Sequence, residues 1–119
     1  MTYLAKSNLF FKEDETQWEV VGEGVQRQIV GFDDRIMMVI VKFDSGAIGT
    51  LHNHHHTQVT HIGAGAFEVT IADEKKVLKK GDSFYIPSNA MHGVVCLEEG
   101  ILIDVFSPIR EDFMKLTNI

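Results

Sequence analysis

The sequence predicts an all-β domain, a sandwich or a closed barrel. Its apolar runs are short, rich in Val, Ile, Phe and Thr, and many alternate with period two. Turn-forming clusters recur about every eight to twelve residues. The 119 residues suit one compact domain.

"VQRQIV" (Val25 to Val30) is the first expected strand, and "RIMMVIVKF" (Arg35 to Phe43) the second. "QVTHIGAGAFEVTI" (Gln58 to Ile71) carries one or two more. "KVLKKGDSFYIP" follows, then "MHGVVCLEEGILIDVF", which the polar "EEG" is expected to split into a hairpin. "DSGA", "ADEK", "KKGD" and "LEEG" are the clearest turn signals. A short C-terminal helix is expected over 108–119. Ser107 can cap it, Pro108 suits its first turn, and Ile109, Phe113 and Leu116 share one face. Residues 1–20 read as an N-terminal arm, with Phe10, Phe11 and Trp18 around an acidic "KEDET", and 21–107 as the β-structure. The arm is expected to pack on a second copy, making a homodimer.

Composition removes several function classes. The formal net charge is −6, and no basic cluster exceeds a lysine pair, so a nucleic-acid partner is not expected. The longest apolar runs are too short to span a bilayer, and no leader-like segment opens the chain. A single cysteine, Cys96, forbids an internal disulfide. These features lead us to expect a cytoplasmic protein with no membrane partner.

Chemistry concentrates in "GTLHNHHHTQVTHIGAG", which holds five of the six histidines. On a strand, His52 and His54 would point to one face, so both imidazoles can converge on one metal ion. Such a site needs further ligands. Gln58 offers a neutral oxygen, and the distant His92 a third imidazole, provided the fold brings it alongside. His55, His56 and His61 read as solvated bystanders or as groups behind the ligands.

These residues resemble the cupin superfamily. Its first motif runs glycine, HxH, an acidic ligand and glycine; Gly46, His52, His54, Gln58 and Gly65 stand at its spacings, with Gln58 in the glutamate's place. Gly81, Pro87 and His92 match the second motif, while Asn89 replaces a glycine and Cys96 an asparagine. The resemblance implies a double-stranded β-helix, a jelly-roll barrel over 1–119, with one divalent transition metal ion (Zn, Ni, Fe, Co or Mn) held by His52, His54, Gln58 and His92. Positive-φ positions explain the glycines, and asparagine is the next best residue there.

A second constellation lies in "ILIDVFSPIRED". Leu102, Asp104 and Phe106 alternate onto one face, and a lone carboxylate in so apolar a strand is costly to bury without a partner, so either this is an edge strand with Asp104 in solvent or Asp104 points into the barrel. Asp104 facing the metal could act as general acid or base, and Arg110 suits a substrate carboxylate. With HxHxxxQ, this Asp-x-Phe-x-x-x-Arg spacing resembles the KdgF group of small cupins. That resemblance implies conversion of 4,5-unsaturated monouronates, small anionic sugars from pectin or alginate, into linear 4-deoxy-5-keto uronates. It assigns catalysis to Asp104, Phe106 and Arg110. The alternatives are another cupin enzyme, either a dioxygenase or a sugar isomerase, and a non-enzymatic sugar-binding cupin.

Overall fold

The computed structural model describes residues 6–114. Eight strands form there: β1 (Glu19–Gly22), β2 (Val25–Asp33), β3 (Ile36–Phe43), β4 (Ile48–His52), β5 (Thr57–Ile71), β6 (Glu74–Lys79), β7 (Ser83–Ile86) and β8 (His92–Ser107). Every pairing among them is antiparallel. The fold is the expected all-β jelly roll. No helix of the described residues is long and apolar enough to cross a membrane.

Two long strands organise the barrel. β5 and β8 pair along their whole length, from Thr57↔Ser107 to Ile71↔His92. Where they bend, each passes from one layer to the other. The C-terminal half of β8 pairs β3, and through it β2 and β1, while the N-terminal half of β5 pairs β7. In the second layer the N-terminal half of β8 pairs β4, and the C-terminal half of β5 pairs β6. The core fills the space between: Val39, Val41, Phe43, Leu102 and Phe106 from one layer, Phe67, Val69 and Cys96 from the other. Phe67 is fully buried and meets Phe43 edge to face, with centroids 5.2 Å apart. Burying such a ring contributes about 1.5–3 kcal/mol.

The "EEG" segment is not a hairpin. β8 runs unbroken through it, with register shifts against β5 between Ile62 and Phe67. The physical reason is a backbone crossing. A Cβ on Gly65 would stand 2.5 Å from the Glu98 carbonyl oxygen, and one on Gly100 would stand 2.8 Å from the Phe67 ring. Two glycines let the strands cross and bend without reversing. Gly65 has φ +78°, and Asn89, in the other motif, has φ +69°.

The C-terminal segment differs as well. Pro108 to Met114 form turns rather than a helix, closed by Phe113 N–H to Arg110 O and Met114 N–H to Glu111 O. Ile109 and Arg110 are both buried, Arg110 through contacts with Asp112, Phe106 and Phe113. Tertiary contacts of Arg110 thus override the local helix signal. Leu116 lies outside the described residues.

In the N-terminal arm, Glu13–Glu15 form one 3-10 turn, and β1 already begins at Glu19. Gln28 holds the arm, its amide donating to the carbonyls of Glu13 (3.1 Å) and Thr16 (2.8 Å). Trp18 packs against its own chain, with the Lys42 ammonium 4.0 Å from the ring centroid.

Candidate metal centre and catalytic pocket

The barrel mouth collects residues from distant parts of the chain. His52 ends β4 and His92 begins β8, and the two are cross-strand partners. Their rings lie 4.3 Å apart. His54 is not on a strand, contrary to the expectation for the HxH pair. It sits in the loop after β4, which Asn89 N–H secures by donating to the His54 carbonyl at 2.8 Å. The second motif's turn thereby holds the first motif's loop. The His54 ring comes within 4.8 Å of the His92 ring. One ligand atom from each of the three histidines falls within 4.8 Å of the others.

Ring orientation fits these imidazoles to a cation. Nδ1 of His52 faces Thr50 O (2.8 Å), Nδ1 of His92 faces Ala90 O (2.9 Å), and Nδ1 of His54 faces His56 O (3.1 Å). A carbonyl accepts only, so Nδ1 carries the proton and each Nε2 is left with a lone pair. Gln58 adds a fourth acceptor, its Oε1 3.1 Å from His54 Nε2. Burial lowers the pKa of His54 to about 4, helped by the Arg110 and His92 charges. Burial also lowers that of His92. Neutral imidazoles facing an amide oxygen are the donor set a borderline divalent ion prefers.

Gln58 is itself held in place. Its Nε2 donates to Thr60 Oγ1 at 2.9 Å, and the Thr60 hydroxyl donates to Asp104 Oδ1 at 2.7 Å. Thr60 is fully buried. The pairings Gln58↔Phe106 and Thr60↔Asp104 put the glutamine and the carboxylate on one inward face, two residues apart along β5 and β8. Asp104 is on a central strand, between Val39 and Thr60, not at an edge. Burial raises its pKa to about 6, against the opposing pull of the Thr60 hydroxyl, the Arg110 charge and Gln58. Sequence reasoning missed Thr60. The signal was the period-two continuation Gln58, Thr60, Ile62 along β5.

Arg110 follows β8 and is buried, yet it is already paired. Nε and Nη2 donate to the two oxygens of Asp112, at 3.0 and 2.8 Å. Its guanidinium lies 5.1 Å from the Phe106 centroid and 4.1 Å from that of Phe113. The Arg110 pairing holds the Asp112 carboxyl below its usual pKa. A cavity of about 230 Å³ brings together His52, Gln58, His92, Asp104, Phe106 and Arg110, with Arg27 at its wall.

Residues 39–106 match the cupin domain family. The chain is 52% identical over 107 residues to the pectin degradation protein KdgF of Dickeya dadantii, an alignment spanning 88% of this chain and 97% of that protein. The chain is a cupin of the KdgF family. It superimposes on KdgF from Halomonas sp. with a TM-score of 0.87 at 44% identity, covering 91% of this chain and all (100%) of the other. An RmlC-like cupin from Shewanella frigidimarina gives a TM-score of 0.91 at 44% identity, over 93% of this chain and 100% of that one.

In this KdgF-family chain the remaining histidines divide. His55 is exposed, and His61 is exposed with Nδ1 2.8 Å from Ser83 Oγ. His56 departs from the solvated reading: it is only 3% exposed, and neither ring nitrogen has a hydrogen-bond partner among the described residues. The C-terminal turn covers it, with Glu111 Oε1 3.3 Å from Nε2. Burial lowers its pKa. The missed signal was parity, since His54, His56 and Gln58 follow one another at every second position. His55, His56 and Glu111 also bring ligand atoms within 4.8 Å of one another.

Proposed function

We propose that this KdgF-family cupin converts 4,5-unsaturated monouronates, as released from pectin or alginate, into linear 4-deoxy-5-keto uronates. The observation that carries this reading is Asp104. It is an acid raised to about pKa 6 and linked through Thr60 to the glutamine of a three-histidine cluster, in the cavity that also holds Arg110.

The reaction is a ring opening followed by tautomerisation. The C1 hydroxyl loses its proton, the C1–O5 bond breaks to give the aldehyde, and O5 is left as an enolate on C5. A proton added at C4 then gives the C5 ketone. His52, His54, His92 and Gln58 would hold a divalent metal ion, whose Lewis acidity would favour charge on the enol oxygen. Gln58 brings no negative charge, which keeps that acidity high. Asp104 carries protonated and ionised forms in comparable amounts near pH 6, as a group that both takes and gives a proton requires. Arg110 binds the C6 carboxylate with the donors that Asp112 leaves unused. Phe106 walls the pocket and keeps water from the enol.

The overall charge of −6 does not attract an anionic sugar, so attraction is local, from Arg110 and the metal site. The metal is one of Zn, Ni, Fe, Co or Mn, and elemental analysis of purified protein identifies it. The arm's Leu9 and Phe10, 90% and 87% exposed, supply the apolar surface of a homodimer, which sedimentation would register.

The reading is tested by running the reaction in D2O and examining the product by NMR. One deuterium at C4 in a single configuration is expected, because Asp104 delivers from one side. Equal labelling of both C4 positions from the outset would sink the role of Asp104.

A further inference from the structure

Arg27 sits in β2, opposite Val41 of β3. Its neighbour Gln28 points outward to the N-terminal arm, so strand alternation turns Arg27 inward with the core residue Val41. The Arg27 side chain lines the same cavity as Gln58, Asp104 and Arg110 and is only 17% exposed. Its Nε donates to Glu19 Oε1 at 2.7 Å. No other hydrogen bond from its guanidinium is made among the described residues, so both terminal nitrogens keep their donors.

Phe113 places Arg27 relative to Arg110. The Arg27 guanidinium carbon lies 3.9 Å from the Phe113 centroid, and that of Arg110 lies 4.1 Å from it. Both guanidiniums are thus held against one aromatic ring. Each is steadied by a carboxylate, Glu19 or Asp112, at 2.7 to 3.0 Å. The pocket thus presents two guanidiniums, while the substrate proposed above has one carboxylate. Arg110 takes that carboxylate, and His52, Gln58, His92 and Asp104 serve the metal and the proton. Arg27 is the charged group left without a task. The wall around it, Val39, Val41, Phe43 and Leu102, offers no side-chain hydrogen bond.

We infer that Arg27 binds the vicinal hydroxyls on C2 and C3 of the sugar and so discriminates between unsaturated uronates. This rests on the uronate reading. In a 4,5-unsaturated uronate C4 and C5 are trigonal, so only C2 and C3 distinguish the pectin-derived (threo) from the alginate-derived (erythro) compound. A guanidinium fork spans two adjacent oxygens and senses their relative orientation. Discrimination by hydrogen bonds to hydroxyls is steep, because a wrong epimer leaves a buried donor unpaired.

The test measures kcat and KM on both epimers for the wild type, Arg27→Met, Arg27→Lys and Glu19→Gln, with Tm and metal content for each. Arg27→Met is expected to raise KM on the better substrate by about tenfold or more. Its kcat should stay within about threefold, and the ratio of kcat/KM between epimers should move toward one. Arg27→Lys should restore part of the KM but not the ratio, since an ammonium lacks the fork. Glu19→Gln, which loses the ion pair and keeps the guanidinium, should alter Tm more than the ratio. An unchanged epimer ratio in Arg27→Met overturns the inference, as does an equal fall of kcat on both epimers with a lowered Tm, the mark of a packing role alone. A wild type that turns over neither epimer removes the uronate reading, and this inference with it; activity on either epimer keeps the two failures distinct.

Discussion

Oε1 of Gln58 and Nε2 of His54 face each other at 3.1 Å with no proton to share. The glutamine's N–H is committed to Thr60, and His54 Nδ1 to a carbonyl. With the His54 pKa at about 4, the ring does not take up a second proton near neutrality. Two lone pairs facing each other in this way are the arrangement a bound cation would relieve.

Thr60→Val tests how the glutamine is held. It keeps the shape of the side chain and removes the hydroxyl between Gln58 and Asp104. We expect metal affinity to fall about 10–100-fold, the usual effect of removing a group that orients a ligand. Stability should fall by about 1–3 kcal/mol, because the Gln58 amide is left buried without its acceptor. Metal titration and urea unfolding of the variant measure both, and unchanged affinity would separate Thr60 from the metal site.

Asp104→Asn keeps the volume and removes the acid. Turnover should drop by about 10²–10⁴-fold, while metal content stays that of the wild type. Full turnover in a metal-loaded variant would remove Asp104 from the reaction.

The metal-free protein should lose stability in mild acid. Burial depresses His54 from 6.5 to about 4 and lowers His56 and His92. Between those pH values the unfolded chain binds protons that the folded one refuses. The stability these imidazoles contribute is therefore complete above pH 6.5 and lost as pH falls toward 4. Asp104 acts in the opposite sense: raised from 3.8 to about 6, it favours the folded state at low pH and loses that contribution as pH rises through 6. Three imidazoles outweigh one carboxyl, so the urea midpoint should be lower at pH 5 than at pH 7.5. An equal or higher midpoint at pH 5 contradicts the burial of these rings.

The strand crossing predicts unequal glycines. Gly65→Ala places a methyl against the Glu98 and Glu99 carbonyls at φ +78°, whereas Gly46→Ala, at φ +87°, meets nothing within 4 Å. We expect the first to cost about 3 kcal/mol or more, and the second about 1–2 kcal/mol for backbone conformation alone. Thermal unfolding of the two variants decides; equal Tm losses would refute the crossing.

Much of this was legible in the sequence, for identifiable reasons. Period-two alternation marked β2, β3 and β5, and motif spacing brought His92 to His52 from forty residues away. What failed was local. "LEEG" has turn composition, but its reversal is prevented by pairing with β5 over the whole of β8, a long-range fact. "SPIRED" has helix-start composition, but Arg110 is drawn into the pocket by Asp112, Phe106 and Phe113. Arg27 carried no signal at all, because nothing within "VQRQIV" reveals that the C-terminal turn closes over it.

The central claim is most directly tested by mixing the metal-loaded protein with a 4,5-unsaturated monouronate and following the ultraviolet absorbance of its conjugated double bond. The account predicts decay well above the spontaneous rate, with the linear 4-deoxy-5-keto uronate as product. Decay no faster than the protein-free control, with either the pectin-derived or the alginate-derived compound, would contradict it.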